Sequence, residues 1–328
     1  MNHGGYVWIN DDPCEWLDFS ANLRPEGLPQ WVRETFHVAV EKLRFYPDPD
    51  MKRARKGLAA FLDVPDECVL PTAGGMEAID LALSVSDGRV FFRQPTFCEY
   101  AVRAAVHGRE NAIWAGQCDS GDSLVLCNPN NPTGETKPRE DLLTILDTVR
   151  ANGGNMIVDE AFIEYCPEHS LRDVVSSDLI VLGSFSKILG TPGIRLGYLC
   201  ASAEMVARLL RRIRPWSLDA AATEIAVQLP NHKDQIREDA ELNKRRRKAF
   251  SMLLQSRGAE VYPSESNFLL VDFHRDMSFA AEELKRRKVL VRTCSDFGLP
   301  DSFWRLAVKT EEENAHFVAA LEEILHER

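Results

Sequence analysis

Leu179-Ile180-Val181-Leu182-Gly183-Ser184-Phe185-Ser186-Lys187 is an apolar run that ends in hydroxyls and an amine. Four consecutive aliphatic residues read as a strand buried in a parallel sheet. Such a strand delivers Lys187 to the sheet end where open α/β sheets bind ligands. Arg195 follows eight residues later, so an amine, two hydroxyls (Ser184, Ser186) and a guanidinium emerge near one another. That set suits a Schiff-base lysine whose carbonyl partner also carries a phosphate. Alone, the same pattern also describes an ordinary surface lysine.

Two further segments narrow the reading. Asn155-Met156-Ile157-Val158-Asp159-Glu160 is a second short strand pattern, and it carries a carboxylate to the same sheet end. Leu124-Val125-Leu126-Cys127 is a third, followed by the turn Asn128-Pro129-Asn130-Asn131-Pro132-Thr133-Gly134. Each has a plain alternative, a helix cap for Asp159 and a tight loop for the Asn/Pro turn. Lysine, carboxylate and asparagine turn, each after its own strand, point together to pyridoxal phosphate. Its pyridine nitrogen needs an anion to stay protonated and withdraw electrons.

Gly74-Gly75-Met76 follows Cys68-Val69-Leu70 and opens Glu77-Ala78-Ile79-Asp80-Leu81-Ala82-Leu83, a helical pattern. Free amides and the positive end of a helix there favour a dianion. The pair also reads as a permissive turn. Met76 carries no hydroxyl or charge, so only its backbone can donate.

The 328 residues and 37.0 kDa allow one large α/β domain and a smaller one. Charged residues at 27% and apolar ones at 45% suit a globular enzyme. The formal charge of -11 disfavours nucleic acid and anionic membrane as partners, so an anionic substrate must be drawn in by local arginines. No apolar run of spanning length and no signal-peptide layout is present, which predicts a cytoplasmic protein. The eight cysteines form no C-x-x-C pair and the eight histidines are dispersed, so no metal is expected.

Residues 1–44 read as an irregular N-terminal arm with one helix-like stretch, Trp31 to Lys42. Residues 45–229 alternate strand and helix patterns, the signature of a mainly parallel sheet with helices on both faces. Residues 230–328 read as a smaller α+β domain, opened by one long charged helix over 231–257. The basic run Lys244-Arg245-Arg246-Arg247-Lys248 is preceded by Glu238, Asp239 and Glu241, so it reads as a solvated helix face.

Nearly end to end, the chain resembles the fold-type-I pyridoxal-phosphate enzymes, the aspartate aminotransferase superfamily (class I/II). The resemblance implies the PLP-transferase fold and a homodimer with shared sites. It makes Lys187 the lysine that holds the cofactor aldehyde and Asp159 the partner of the ring nitrogen. Asn131 becomes the donor to the phenolic oxygen, and Phe97, in Pro95-Thr96-Phe97, the stacking aromatic. Gly74, Gly75, Met76, Ser184, Ser186 and Arg195 become phosphate ligands, joined by Tyr46 from the other subunit. Arg305 corresponds to the arginine that grips the substrate carboxylate, and Arg292 to a holder of a substrate phosphate.

Within the superfamily the chain is similar to histidinol-phosphate aminotransferases and, more closely, to threonine-phosphate decarboxylases of cobalamin synthesis. The segments that carry this are His3-Gly4-Gly5, Leu17-Asp18-Phe19-Ser20-Ala21-Asn22, Asp159-Glu160-Ala161-Phe162-Ile163-Glu164, the stretch from Thr191 to Tyr198, and Arg214-Pro215-Trp216-Ser217. The resemblance implies that Phe162 stands beside the cofactor, where the aminotransferase group usually has tyrosine. His3 and Asn22 become candidate substrate contacts. Arg24, where relatives commonly have asparagine, points either into the substrate pocket or to solvent. The implied reaction is decarboxylation of O-phospho-L-threonine to (R)-1-aminopropan-2-yl phosphate, with histidinol-phosphate-type transamination as the alternative. A binding protein without turnover fits the intact Lys187, Asp159, Asn131 and Arg305 set poorly. A dinucleotide oxidoreductase lacks its G-x-G-x-x-G after a strand.

Overall fold

The computed structural model describes residues 4–8 and 12–326. Among these, one sheet of seven strands runs in the order Val69–Thr72, Gly197–Cys200, Leu179–Ser184, Asn155–Asp159, Ser123–Cys127, Val90–Phe92 and Asn111–Ile113. All neighbours pair in parallel except Gly197–Cys200, which is antiparallel to both of its own. The inner strands are buried along almost their whole length, which explains their unbroken apolar runs. Helices such as Lys52–Leu62, Gly75–Leu83 and Arg139–Ala151 pack their apolar faces on this sheet and share its core.

A second core lies around a four-stranded antiparallel sheet in the order Arg292–Thr293, Phe303–Ala307, Phe268–Asp272 and Glu260–Val261. The helices Lys233–Gln255, Ser278–Arg286 and Glu311–His326 cover it. The apolar run over 289–292 is divided between two sheets. Val289–Leu290 leaves this sheet, and Arg292–Thr293 joins it.

The stretch expected as an irregular arm is shared between the two cores. Leu17–Asp18 is a strand that pairs in parallel with Val289–Leu290, and Phe19 is fully buried in the second core. The helix Gln30–Val40 instead buries Trp31 and Val32 in the first core. Residues 20–29 therefore bridge the two cores and pass the end of the large sheet. No helix of the described residues is long and apolar enough to cross a membrane. All eight cysteines are unpaired thiols.

Candidate active site

Strand register assembles the site. Gly197 is the Cα partner of Thr72 on one side and of Ser184 on the other, so the Gly74-Gly75 turn and the Ser184 hydroxyl leave the sheet side by side. A Cβ on Gly197 would lie 2.6 Å from the backbone of Gly74, so only glycine permits this approach. Gly74 has φ 80° and ψ 174°, a conformation essentially reserved for glycine, and it caps the helix Gly75–Leu83. The Arg195 guanidinium packs against it, where a Cβ would come within 2.6 Å of a guanidinium nitrogen. Glu77 accepts from the Ala73 N–H at 2.6 Å and fixes the turn. Ser184 Oγ and Ser186 Oγ lie 2.6 Å apart. Two hydroxyls, a helix N-terminus and an exposed guanidinium thus lie side by side, a set suited to a dianion. The Met76 side chain packs into the core and leaves only its backbone to this cradle.

Lys187 lies in the turn that follows Leu179–Ser184, and its carbonyl accepts from the Arg24 N–H at 3.2 Å. It lines a cavity of about 220 Å³ with Gly4, Ser20, Asn22, Phe97, Tyr100, Cys127, Asn131, Asp159, Phe162 and Arg305. Burial, assisted by the Arg305 and Arg195 cations, lowers the proton affinity of its amine to about 8. Asp159 is 4% exposed, and burial raises its carboxyl above the ordinary range. Tyr100 Oη donates to its Oδ2 at 2.6 Å and the Ala161 N–H to its Oδ1 at 3.0 Å.

Asn131 and Arg305 meet although 174 residues separate them, the guanidinium donating to Asn131 Oδ1 at 2.6 Å. Its other terminal nitrogen donates to the Ser20 carbonyl at 2.5 Å. With Oδ1 engaged, the Asn131 amide directs its donors elsewhere. Arg305 is buried, and burial together with the nearby Arg292 cation lowers its guanidinium to about 10. Phe162 is buried and meets Phe268 edge-on at 5.1 Å. The loop that carries Phe97 is tied to the asparagine turn, since Thr96 donates to Asn130 at 2.8 Å and Asn130 to the Pro95 carbonyl at 3.0 Å.

The remaining residues singled out in the sequence fall outside this cavity or at its edge. Asn22 is buried at the wall, its carbonyl accepting from Asn267 at 2.9 Å and its Oδ1 without a partner among the described residues. Arg292 is buried and pairs with Asp296 at 2.6 Å. It lines an adjoining cavity of about 150 Å³ with Lys285 and Tyr6, and the two cavities share Gly4 and Ser20. Tyr46 is 84% exposed beside Trp216, with ring centroids 5.2 Å apart, and does not line the cavity of its own chain. His3 lies outside the described residues. Arg24 takes neither expected direction: it forks onto Asp239 with both contacts at 3.1 Å, in a part-buried pair with the long helix.

Tyr100, Cys127 and Ser20 belong to the site, and the sequence reading did not single them out. Tyr100 stands one helical turn beyond Phe97, the one signal available beforehand. Two features lie apart from Lys187. A cavity of about 1000 Å³ opens behind the asparagine turn, lined by Thr133, Lys244, Arg247 and Tyr262 among others. Glu260, Asp272 and His274 also converge, their ligand atoms within 4.8 Å of one another, on the outer edge of the smaller sheet. The dispersal of histidines along the chain does not foretell that grouping.

Residues 15–321 match the family of aminotransferases class I and II, and the chain belongs to it. Its members are pyridoxal-phosphate enzymes, and this chain is one of them. It is 30% identical to threonine-phosphate decarboxylase from Salmonella typhimurium, over 98% of this chain and 96% of that protein. It is 29% identical to histidinol-phosphate aminotransferase from Methanococcus maripaludis, over 96% and 91%. The crystal structure of histidinol-phosphate aminotransferase from Clostridium acetobutylicum superposes with a TM-score of 0.87 at 27% identity, covering 95% of this chain and all of the other. These residues suit the cofactor: a turn at Gly74 that admits only glycine, beside a guanidinium, fits its phosphate, and a buried carboxylate fits a ring cation.

Proposed function

We propose that the protein decarboxylates a phosphorylated amino acid, O-phospho-L-threonine, to (R)-1-aminopropan-2-yl phosphate for the cobalamin side chain. The observation that carries this reading is the pair of adjoining cavities that share Gly4 and Ser20, with Arg305 in one and Arg292 with Lys285 in the other. A small substrate with a carboxylate at one end and a second anion at the other would meet a cation in each cavity. The 30% identical relative bears the name of this activity.

When bound, pyridoxal phosphate supplies the electron sink for the pair released at the substrate α-carbon. The chain supplies the rest. The cradle of Gly74, Gly75, Met76, Ser184, Ser186 and Arg195 holds the phosphate, with Tyr46 reaching it from a second copy of the chain. Asp159 would hold a proton on the ring nitrogen, Asn131 would donate to the phenolic oxygen, Phe97 would stack on the ring, and the buried Phe162 would keep water from the pocket. Arg305, clamped by Asn131 and Ser20, would grip the substrate carboxylate and fix the direction of its bond to Cα. As that bond breaks, carbon dioxide leaves with the carboxylate oxygens and the bonding pair stays with the carbon side. Lys187 Nζ then delivers a proton to Cα, a task its lowered proton affinity suits.

The active unit in this reading is a two-fold homodimer in the cytoplasm, in keeping with the unpaired thiols. The 29% identical relative favours a second reading, transamination, in which Lys187 removes the α-proton instead. Incubation of the holoprotein with phosphothreonine separates the two. Carbon dioxide released without any 2-oxo acid is the expected result. Product formation that requires such an acceptor would overturn it.

A further inference from the structure

Tyr100 sits at the second position of the helix Glu99–Val106, 1% exposed, with its hydroxyl against the carboxylate of Asp159. We infer that Tyr100 is a positioning residue that aims the Asp159 carboxylate and keeps it anionic, thereby setting how tightly the cofactor ring nitrogen holds its proton. This rests on the reading of Asp159 as the partner of that nitrogen.

The geometry leaves little else for the hydroxyl to do. Asp159 is buried at the end of its strand, where an ionised carboxylate without donors is costly. Each of its oxygens receives one donor, Tyr100 Oη at 2.6 Å and the Ala161 N–H at 3.0 Å. Two fixed donors settle the orientation of the carboxylate plane and leave lone pairs for a third donor in the cavity. The titratable groups that face Asp159 are Tyr100 from its helix, Cys127 from the neighbouring strand, where it is the Cα partner of Asp159, and Lys187 from the turn. Burial raises the phenol and the thiol, so both stay protonated at neutral pH. Cys127 gives its proton to the Pro129 carbonyl at 3.2 Å, so the phenol is the side-chain donor that Asp159 keeps. Tyr100 also meets Phe97 edge-on at 5.6 Å, and one side chain thus braces both the stacking ring and the carboxylate.

Tyr100→Phe keeps the ring and removes only the donor. Hydrogen bonds to charged groups of this kind correspond to roughly 10- to 150-fold in an equilibrium constant. The dissociation constant for pyridoxal phosphate, measured by absorbance on the purified protein, should rise about tenfold or more. With the ring nitrogen less cationic, the proton on Lys187 Nζ in the loaded protein is held more tightly. The pH midpoint of its visible absorbance change should therefore move up, by as much as about one unit. Asp159→Asn is measured alongside. If it alters both readouts while Tyr100→Phe alters neither, the role of Tyr100 is overturned and that of Asp159 stands. If Asp159→Asn alters neither, the reading of Asp159 itself fails. Thermal unfolding of both variants without cofactor detects a variant that does not fold. Should Tyr100→Phe not fold, Tyr100→His, which keeps a ring donor, should retain the native midpoint, and a shift as large as that of Asp159→Asn would refute the inference.

Discussion

Replacement of Gly74 by alanine separates a phosphate cradle from a merely permissive turn. At φ 80° and ψ 174° any side chain is strained, at a cost of about 1–3 kcal/mol to the folded state with or without cofactor. In a chain of this size that lowers the unfolding temperature by a few degrees. The second effect is local: the new Cβ would lie 2.6 Å from one guanidinium nitrogen of Arg195 and 2.9 Å from its central carbon, so the guanidinium must move away. A displaced Arg195 loses its charge-assisted contact with the phosphate, about 1.5–3 kcal/mol. The dissociation constant for pyridoxal phosphate, from quenching of protein fluorescence, should therefore rise roughly 10- to 150-fold. Lower thermal stability with an unchanged dissociation constant would refute the cradle, because strain alone acts equally on the empty and the loaded protein.

Other consequences can be measured in the same preparations. Lys187 has its folded-state proton affinity lowered from 10.5 to about 8, so its free amine forms as pH rises through about 8. Cofactor uptake by the empty protein should accelerate with that midpoint, and a midpoint near 10.5 would contradict the burial argument. The same shift makes the protonated lysine a penalty below about 8 that is relieved between about 8 and 10.5, so its contribution to stability improves with pH across that window. Arg24→Ala breaks a part-buried forked pair with Asp239 and should cost about 1–3 kcal/mol in chemical unfolding, while KM stays unchanged; a raised KM would place Arg24 in the pocket after all. Mixed dimers of Tyr46→Phe and Lys187→Ala chains should recover up to one working site, and a total lack of recovery would count against sharing.

Much of this fold can be read from the chain because the parallel strands are buried on both faces. Leu179–Ser184 and Asn155–Asp159 therefore announce themselves as unbroken apolar runs, and the chemistry at their ends follows. Leu17–Asp18 does not, being a two-residue strand that pairs with a segment far along the chain. Arg24 was ambiguous for the same reason, since its partner Asp239 is 215 residues away and the contact exists only once both cores have formed. Tyr100 hides in an amphipathic helix, where nothing in the spacing tells a core tyrosine from one bonded to a carboxylate 59 residues on. Glycines were legible as turns, but the demand on Gly74 becomes visible only when Arg195 stands beside it. Side-chain chemistry at strand ends is local information; the pairing of distant charges is not.

The most direct test is to reduce the holoprotein with borohydride, digest it and locate the pyridoxyl group by mass spectrometry. Attachment to Lys187 is the expected result, with no label in Lys187→Ala. Attachment to any other lysine of the native chain would contradict it.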